Sequence, residues 1–310
     1  AMLKFKSALY LSLALALGHG IHAFSFSSSS VSSFLHAGVK SSAKSKAGGL
    51  RAMARTKTIL CSLDLHARPY VGKVERAPAI TPKSPLPTLY VYDHCPFCIR
   101  ARMIFGLKNV RHELRFMAND EVEIPTGLVG KKIAPILEMK SVGLTMPESM
   151  DIVKRIDQDE SFGAPILRTA SGRKDLSAWQ EKHSETFRLL QRPRYVATGI
   201  LPEFAFSSAR DAYVRNHPVG DFKKADWQDD SKCSPEFRWG EYRKAMQRTS
   251  ELLPVANEAI KELDQLIFAP EHCTEGGLSY DDIDLFGRLR SVTIIKDLVL
   301  TDKVAAYLDY

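Results

Sequence analysis

The sequence is poor in cysteine, with five in 310 residues. That is too few for a disulfide framework, and an odd number cannot all pair within one chain. No apolar run reaches the roughly 20 residues of a membrane-spanning helix; the stretch from Ala8 to Leu17 is ten residues long and contains Ser12. The first 60 residues hold no Asp or Glu. They do hold eight of the 43 basic side chains, which leaves residues 61–310 with 35 basic against all 36 acidic ones. The formal charge of +7 therefore belongs to the leader, and a polyanion-binding surface on the rest loses its compositional support. One close cysteine pair exists, Cys95-x-x-Cys98, without a second C-x-x-C or an H-x-x-x-H. A structural zinc needs four such ligands, so no metal is expected.

What remains is ordinary globular composition, 45% hydrophobic and 25% charged, in a chain long enough for two domains. Scattered Cys61, Cys233 and Cys273 beside one tight pair is the usage of a reducing compartment, where close pairs do redox work.

Residues 1–23 read as a secretory signal. Lys4 and Lys6 precede the short apolar stretch, and Ala23 offers a small cleavage residue. Residues 24–85 read as a transit peptide and linker: Phe24 leads into a serine-rich, basic, acid-free segment, followed by Pro69, Pro78, Pro82 and Pro85. A signal joined to a transit peptide with Phe24 at the junction resembles the bipartite leader of algae with complex plastids. That resemblance implies delivery to a plastid, with no membrane association once the leader is removed. The alternative is secretion of a protein with a serine-rich arm.

From Thr88 the pattern sharpens. Thr88 to Tyr92 is a β-branched and aromatic run, a short strand. Cys95-Pro96-Phe97-Cys98 opens a helix in which Ile99, Met103, Gly106 and Leu107 recur at helical spacing, with Pro96 suited to the first turn. A strand near Leu114 to Met117 follows, then a short segment around Thr126 to Gly130. Strands over Ile133–Leu137 and ending near Thr145 lead to a helix opened by Glu148 and Ser149. The order strand-helix-strand-helix-strand-strand-helix over residues 86–162 is thioredoxin-like, with the C-x-x-C at its redox position. Residues 163–174 read as a linker and 175–310 as an all-helical domain. In that domain a pattern from Phe237 to Ile267 should kink or divide at Pro254, and Ser279-x-x-Asp282 is a capping box.

The chemistry follows from the helix start. A thiolate attacks disulfides, so a redox cysteine needs a lowered pKa, and the unpaired N–H groups of a helix amino terminus supply the field. Cys95 at the cap is the expected nucleophile and Cys98, a turn inside, the resolving thiol. Pro96, Arg100 and Arg102 are the expected thiolate environment. Pro135 precedes a buried-looking strand; in this architecture it takes the cis form and offers the backbone of Ala134 to a peptide. Glu148 and Ser149 mark a helix start able to receive an anion.

Three stretches, Leu89–Cys98, Ala101–Asn109 and Met146–Val153, resemble the bacterial glutaredoxin 2 family, glutaredoxins on the two-domain glutathione-transferase-like fold. Leu278–Phe286 with Leu289-Arg290 extends the likeness into the helical domain, whereas Gly163–Gly276 carries little of it and Asn216–Pro235 reads as an insertion. The resemblance implies glutathione-dependent reduction of protein disulfides and protein–glutathione mixed disulfides. Glutathione is then the reductant, held by Ala134, Pro135, Glu148 and Ser149; the partners are disulfide-containing or glutathionylated proteins, with no nucleic acid. Alternatives on the same fold are a glutathione transferase or dehydroascorbate reductase, against which Cys98 counts in the Ser and Tyr forms, and a non-enzymatic binding protein.

Overall fold

The computed structural model describes residues 78–309. The signal segment 1–23 and most of the transit-peptide and linker segment 24–85 lie outside the described residues. Within the described chain, pairing begins at Ile80, whose N–H donates to the Asn109 carbonyl (2.9 Å) and whose carbonyl accepts from Arg111 (2.9 Å).

Alternation builds the sheet. Strand β1 (Thr88–Val91) sits inside a four-stranded sheet of order β2-β1-β3-β4. Its neighbours are β2 (Glu113–Phe116), parallel, and β3 (Ile136–Met139), antiparallel, and β4 (Leu144–Pro147) closes the far edge antiparallel to β3. Leu89, Val91, Leu137 and Met139 face the main core, while Tyr90 and Ile136 face the opposite side with Met117 and Ile124, as a period of two requires. Helix α1 (Pro96–Leu107) and helix α3 (Ser149–Gln158) cover the first face. Helix α2 (Glu123–Val129) supplies Ile124 and Leu128 to the second.

Some boundaries differ from expectation. The third strand begins at Ile136 rather than Ile133, because Ile133 to Pro135 form the loop into it. Helix α1 is not one-faced: every residue from Cys98 to Phe105 is buried, Arg100 and Arg102 included. The reason is a second layer, since helix α9 (Tyr280–Leu289) packs across its outer side. Gly287 makes this crossing possible: a Cβ there would lie 2.8 Å from the Pro96 carbonyl and 2.9 Å from Arg100 Cγ.

The remaining helices are α4 (Asp175–Ala197), α5 (Ser207–Asn216), α6 (Lys224–Gln228), α7 (Pro235–Gln247), α8 (Thr249–Leu266) and α10 (Asp302–Asp309). Helix α4 is the spine, packed against α7 and α8; its Trp179 indole donates to the Ala259 carbonyl (2.8 Å). The expected break at Pro254 falls instead at Arg248, and Pro254 lies within α8. Pro254 is the sixth residue of that helix, and the residue whose carbonyl it leaves without an amide, Ser250, is exposed, so water can serve that carbonyl. The Asn216–Pro235 segment is ordered around α6: Trp227 is fully buried and donates to the Val214 carbonyl at 2.7 Å. The capping box is present, with the Asp282 carboxylate accepting from the Ser279 N–H (2.9 Å) and hydroxyl (3.1 Å).

Lys108 at the end of α1 ties down the stretch after α3. Its ammonium donates to the carbonyls of Asp157 (2.6 Å), Gly163 (3.0 Å) and Ala164 (3.2 Å).

Candidate active site

Pro96 takes the first helical position of α1, so Cys95 becomes the N-cap, with extended backbone (φ −74°, ψ 121°) and its carbonyl accepting from the Ile99 N–H at 3.1 Å. Cys95 retains 8% of its surface and Cys98 none. The two thiols are pushed in opposite directions. Cys95 is lowered to about 7, chiefly because the Cys98 thiol hydrogen-bonds to it; burial opposes this, while the neighbouring His94 and the backbone N–H groups of Cys98 and Phe97 add to it. The helix terminus expected from sequence therefore contributes, but after the second thiol and His94. Cys98 is raised well above the ordinary thiol value, first by burial and then by its hydrogen bond to Cys95 and that sulfur's charge. Its sulfur accepts the Tyr92 N–H at 3.3 Å.

Each of the two arginines has a carboxylate partner, while Arg100 also interacts electrostatically with Cys95 and Arg102 with Cys98. Arg102 donates to the fully buried Asp93 at 2.6 Å. Arg290, just past α9, reaches the other Asp93 oxygen at 2.8 Å and the Asp93 carbonyl at 2.9 Å. Burial pushes the Asp93 carboxyl up, and Arg290 and Arg102 pull it below its ordinary value. Arg100 pairs with Asp284 of α9, touches the Ser149 hydroxyl at 3.5 Å and lies 4.7 Å over the Phe97 ring. Both guanidiniums thus pair with carboxylates, and His94, the residue before Cys95, is the neighbouring side chain that lowers its thiol. That role was overlooked in sequence, although His94 stands next to the nucleophile.

The peptide between Ala134 and Pro135 is cis. Because Ile136 pairs with Pro147 across β3 and β4, Pro135 comes opposite Glu148. Glu148 caps α3 in the left-handed region (φ 73°), with an exposed side chain 3.4 Å from Lys131. A non-glycine residue at positive φ is costly and concentrates at functional sites. Ser149 is buried behind it.

Cys95, Pro96 and Ala134 line one side of a cleft of about 480 Å³. Its other side comes from residues sequence reasoning did not reach: Trp179, Phe187, Arg192 and Tyr195 of α4, and Tyr213 and His217 of α5 and the turn after it. Glu148 and Ser149 border the Ala134 loop rather than the cleft lining itself. The lining carries Arg188, Arg192 and Arg288 and no carboxylate. No group of three or more His, Cys, Asp or Glu able to hold a metal occurs among the described residues.

This geometry can be set against known proteins. Residues 231–310 match the family described as "Glutaredoxin 2, C terminal domain", and residues 89–164 match "Glutathione S-transferase, N-terminal domain". The chain is 36% identical over 221 residues to glutaredoxin 2 of Escherichia coli strain K12, spanning 71% of this chain and 92% of the relative, and equally so to that of E. coli O157:H7. The solved glutaredoxin 2 of Salmonella typhimurium in complex with glutathione is 32% identical, with a TM-score of 0.61, over 72% of this chain and 91% of that one.

Proposed function

The chain belongs to the glutaredoxin 2 family, and from that premise we propose that Cys95 and Cys98 carry its glutathione-dependent thiol–disulfide exchange. The observation that carries the assignment is the opposed pair of thiols at one helix start. Cys95 is poised near neutrality at the mouth of the cleft, and Cys98 is protonated and sealed behind it.

Glutathione, with two carboxylates, fits the surroundings. The cleft lining offers guanidiniums and no competing acid. The α3 amino terminus at Glu148 and Ser149 presents unpaired N–H groups to one carboxylate of its γ-glutamyl end, and the Ala134 backbone borders the place where its cysteinyl unit meets Cys95.

The Cys95 thiolate attacks the glutathione sulfur of a mixed disulfide; the S–S bond breaks and the substrate sulfur leaves as a thiolate that takes a proton. A second glutathione thiolate then attacks that bound sulfur, releasing oxidised glutathione and restoring Cys95. With a protein disulfide, Cys95 is held in a covalent complex instead. Its negative charge is then gone, which removes one of the causes holding Cys98 protonated. Cys98 loses its proton, attacks Cys95 and frees the reduced protein, and two glutathiones reduce the resulting Cys95–Cys98 disulfide.

Glutathione-coupled turnover separates the roles. Cys95→Ser should abolish reduction of both substrate types, because a serine hydroxyl is neither ionised nor a comparable nucleophile at neutral pH. Cys98→Ser should keep most turnover of a glutathionylated peptide and lose reduction of a protein disulfide. A fully active Cys95→Ser protein would refute the assignment.

The compartment is proposed on composition alone: the acid-free, serine-rich segment behind a short apolar stretch supports plastid targeting. A fluorescent reporter fused to residues 1–60 should reach a plastid, and Phe24→Ala should stall it earlier. Cytosolic fluorescence from the intact leader would sink the proposal.

A further inference from the structure

Glu203 is a fully buried acid near the redox pair, and the exchange chemistry above does not use it. It lies in the turn Pro202–Phe204 of the helical domain and has no exposed surface. Its carbonyl accepts the Asn119 N–H at 3.0 Å, fixing the turn to the thioredoxin-like unit. One carboxylate oxygen, Oε1, accepts the His94 N–H at 2.8 Å and meets His94 Nδ1 at 2.6 Å. The other, Oε2, is buried without a hydrogen-bond partner. Among the described residues no Lys or Arg forms an ion pair with Glu203; its one ionic contact is His94.

A fully buried carboxylate with one oxygen unserved is poorly arranged as a structural cap, since ionised groups survive burial only beside a compensating charge. Among the described residues, the group placed to compensate is the His94 imidazole. With Nδ1 committed to Glu203, Nε2 is the ring nitrogen left over; it makes no hydrogen bond among the described residues, and His94 lines the cleft beside Cys95. The ring is clamped by aromatic neighbours on several sides: Tyr195, Phe204 and Tyr213, with centroids 5.0–5.1 Å away, and Tyr92 at 6.0 Å.

We propose that Glu203 is a positioning residue for the exchange reaction: from the helical domain it holds the His94 ring in place beside the Cys95 thiolate. The proposal rests on Cys95 being the exchange nucleophile. The groups that face His94 are Tyr92 and Cys95 on its own loop, Glu203 on the turn, Arg192 and Tyr195 on α4, and Tyr213 and His217 from α5 and the residue after it. The buried tyrosines are pushed up by burial and stay neutral, and His217 is pushed down to about 4, so it too is neutral near pH 7. Arg192 brings a guanidinium to the same cleft. Glu203's own charge acts in the opposite sense, raising Cys98 and Tyr92. For Cys95, His94 is among the lowering causes.

The test is the pH dependence of iodoacetamide alkylation at Cys95 in the full chain, site-mapped by mass spectrometry, for wild type, Glu203→Gln, His94→Asn and the double variant. An opposite charge within a few ångströms is worth about one pKa unit or more. Each single variant should therefore alkylate about tenfold more slowly at pH 6.5 and recover the wild-type rate by pH 9.5. The double variant should be no slower than the singles, because Glu203 acts through His94. An unshifted profile in a folded Glu203→Gln protein, or losses that multiply in the double variant, would overturn the proposal. Where Glu203→Gln fails to fold, two-bond proton–nitrogen NMR on the unaltered protein decides: His94 Nδ1 should be protonated at neutral pH, and an unprotonated Nδ1 refutes the arrangement. Undiminished alkylation of Cys95→Ser would instead show that another thiol reacts, overturning the exchange assignment and this proposal with it.

Discussion

Replacing Cys98 by alanine isolates the cause that holds Cys95 down. In the native protein that cause is first the hydrogen bond from the Cys98 thiol, ahead of His94 and the helix-start N–H groups. A hydrogen bond to a charged group is worth about 1.5–3 kcal/mol, which is about one to two pKa units. Cys98→Ala should therefore carry Cys95 from about 7 to between about 8 and 9. At pH 7 the thiolate fraction falls from about half to between about 1 and 10 percent. Cys98→Ser keeps a donor in the same place and should leave Cys95 near its native value. The assay is iodoacetamide alkylation against pH, paralleled by thiolate absorbance near 240 nm, with circular dichroism to confirm the fold. The sign is fixed: lowering Cys95 makes reactivity rise with pH through about 7 in the native protein, and that midpoint moves upward in Cys98→Ala. If Cys98→Ala and Cys98→Ser titrate alike at the native midpoint, the helix terminus and His94 suffice. The hydrogen bond would then not be the leading cause.

Two further outcomes test the frame around the site. Gly287→Ala should cost about 1–3 kcal/mol by forcing a methyl against the Pro96 carbonyl and Arg100, seen as a lower Tm, whereas Gly240→Ala, with only the Arg243 guanidinium 3.9 Å away, should be neutral or slightly stabilising; equal Tm values would refute the tight α1–α9 crossing. Asp93→Asn should destabilise the protein at pH 7 by about 3–5 kcal/mol, since it leaves Arg102 buried without its counter-charge. Because the native carboxyl is depressed, its contribution is complete above about 3.9 and is lost as pH falls through the lower folded value, so the urea-unfolding gap between the two proteins should narrow below pH 4; a constant gap would show that the charge is not what matters.

The parts of this fold legible in the sequence are those fixed by neighbours along the chain. Thr88 to Val91 alternates, Pro96 starts a helix, Cys95 must then be its cap, and Ser279 with Asp282 closes a capping box; each depends on a span of a few residues. The break at Arg248 was not legible, because the apolar pattern continues across it. What marks the boundary is polar: the Thr249 hydroxyl donates to the Met246 carbonyl at 2.6 Å and receives Arg194 at 3.0 Å, and the second partner is more than fifty positions away. The same limit governs the candidate site. Arg100 and Arg102 sit beside Cys98 in sequence, and proximity suggested that they serve the thiolate. Their electrostatic link to the two sulfurs is there, but their ion-pair partners are Asp284 and Asp93, and no local pattern announces the first of those.

The polar pairs around the C-x-x-C divide between the two units in a telling way. Asp93, His94 and Arg100 all belong to the thioredoxin-like unit and flank or follow Cys95 by a few residues. Their partners Arg290, Glu203 and Asp284 all belong to the helical domain. Without that domain, Asp93 keeps Arg102 but loses Arg290, and Arg100 and His94 lose their carboxylates. The buried outer side of α1, which Gly287 meets at close range, becomes solvent-facing. The helical domain is therefore more than a wall for substrate: it supplies the counter-charges that hold the loop from Asp93 to Cys95 in place. That requirement explains why an eight-residue local motif is accompanied by specific residues more than a hundred positions later. The nucleophile and its resolving thiol can be encoded locally, but the electrostatic setting of a buried cysteine needs charges from another layer, because a single short loop cannot surround its own sulfur.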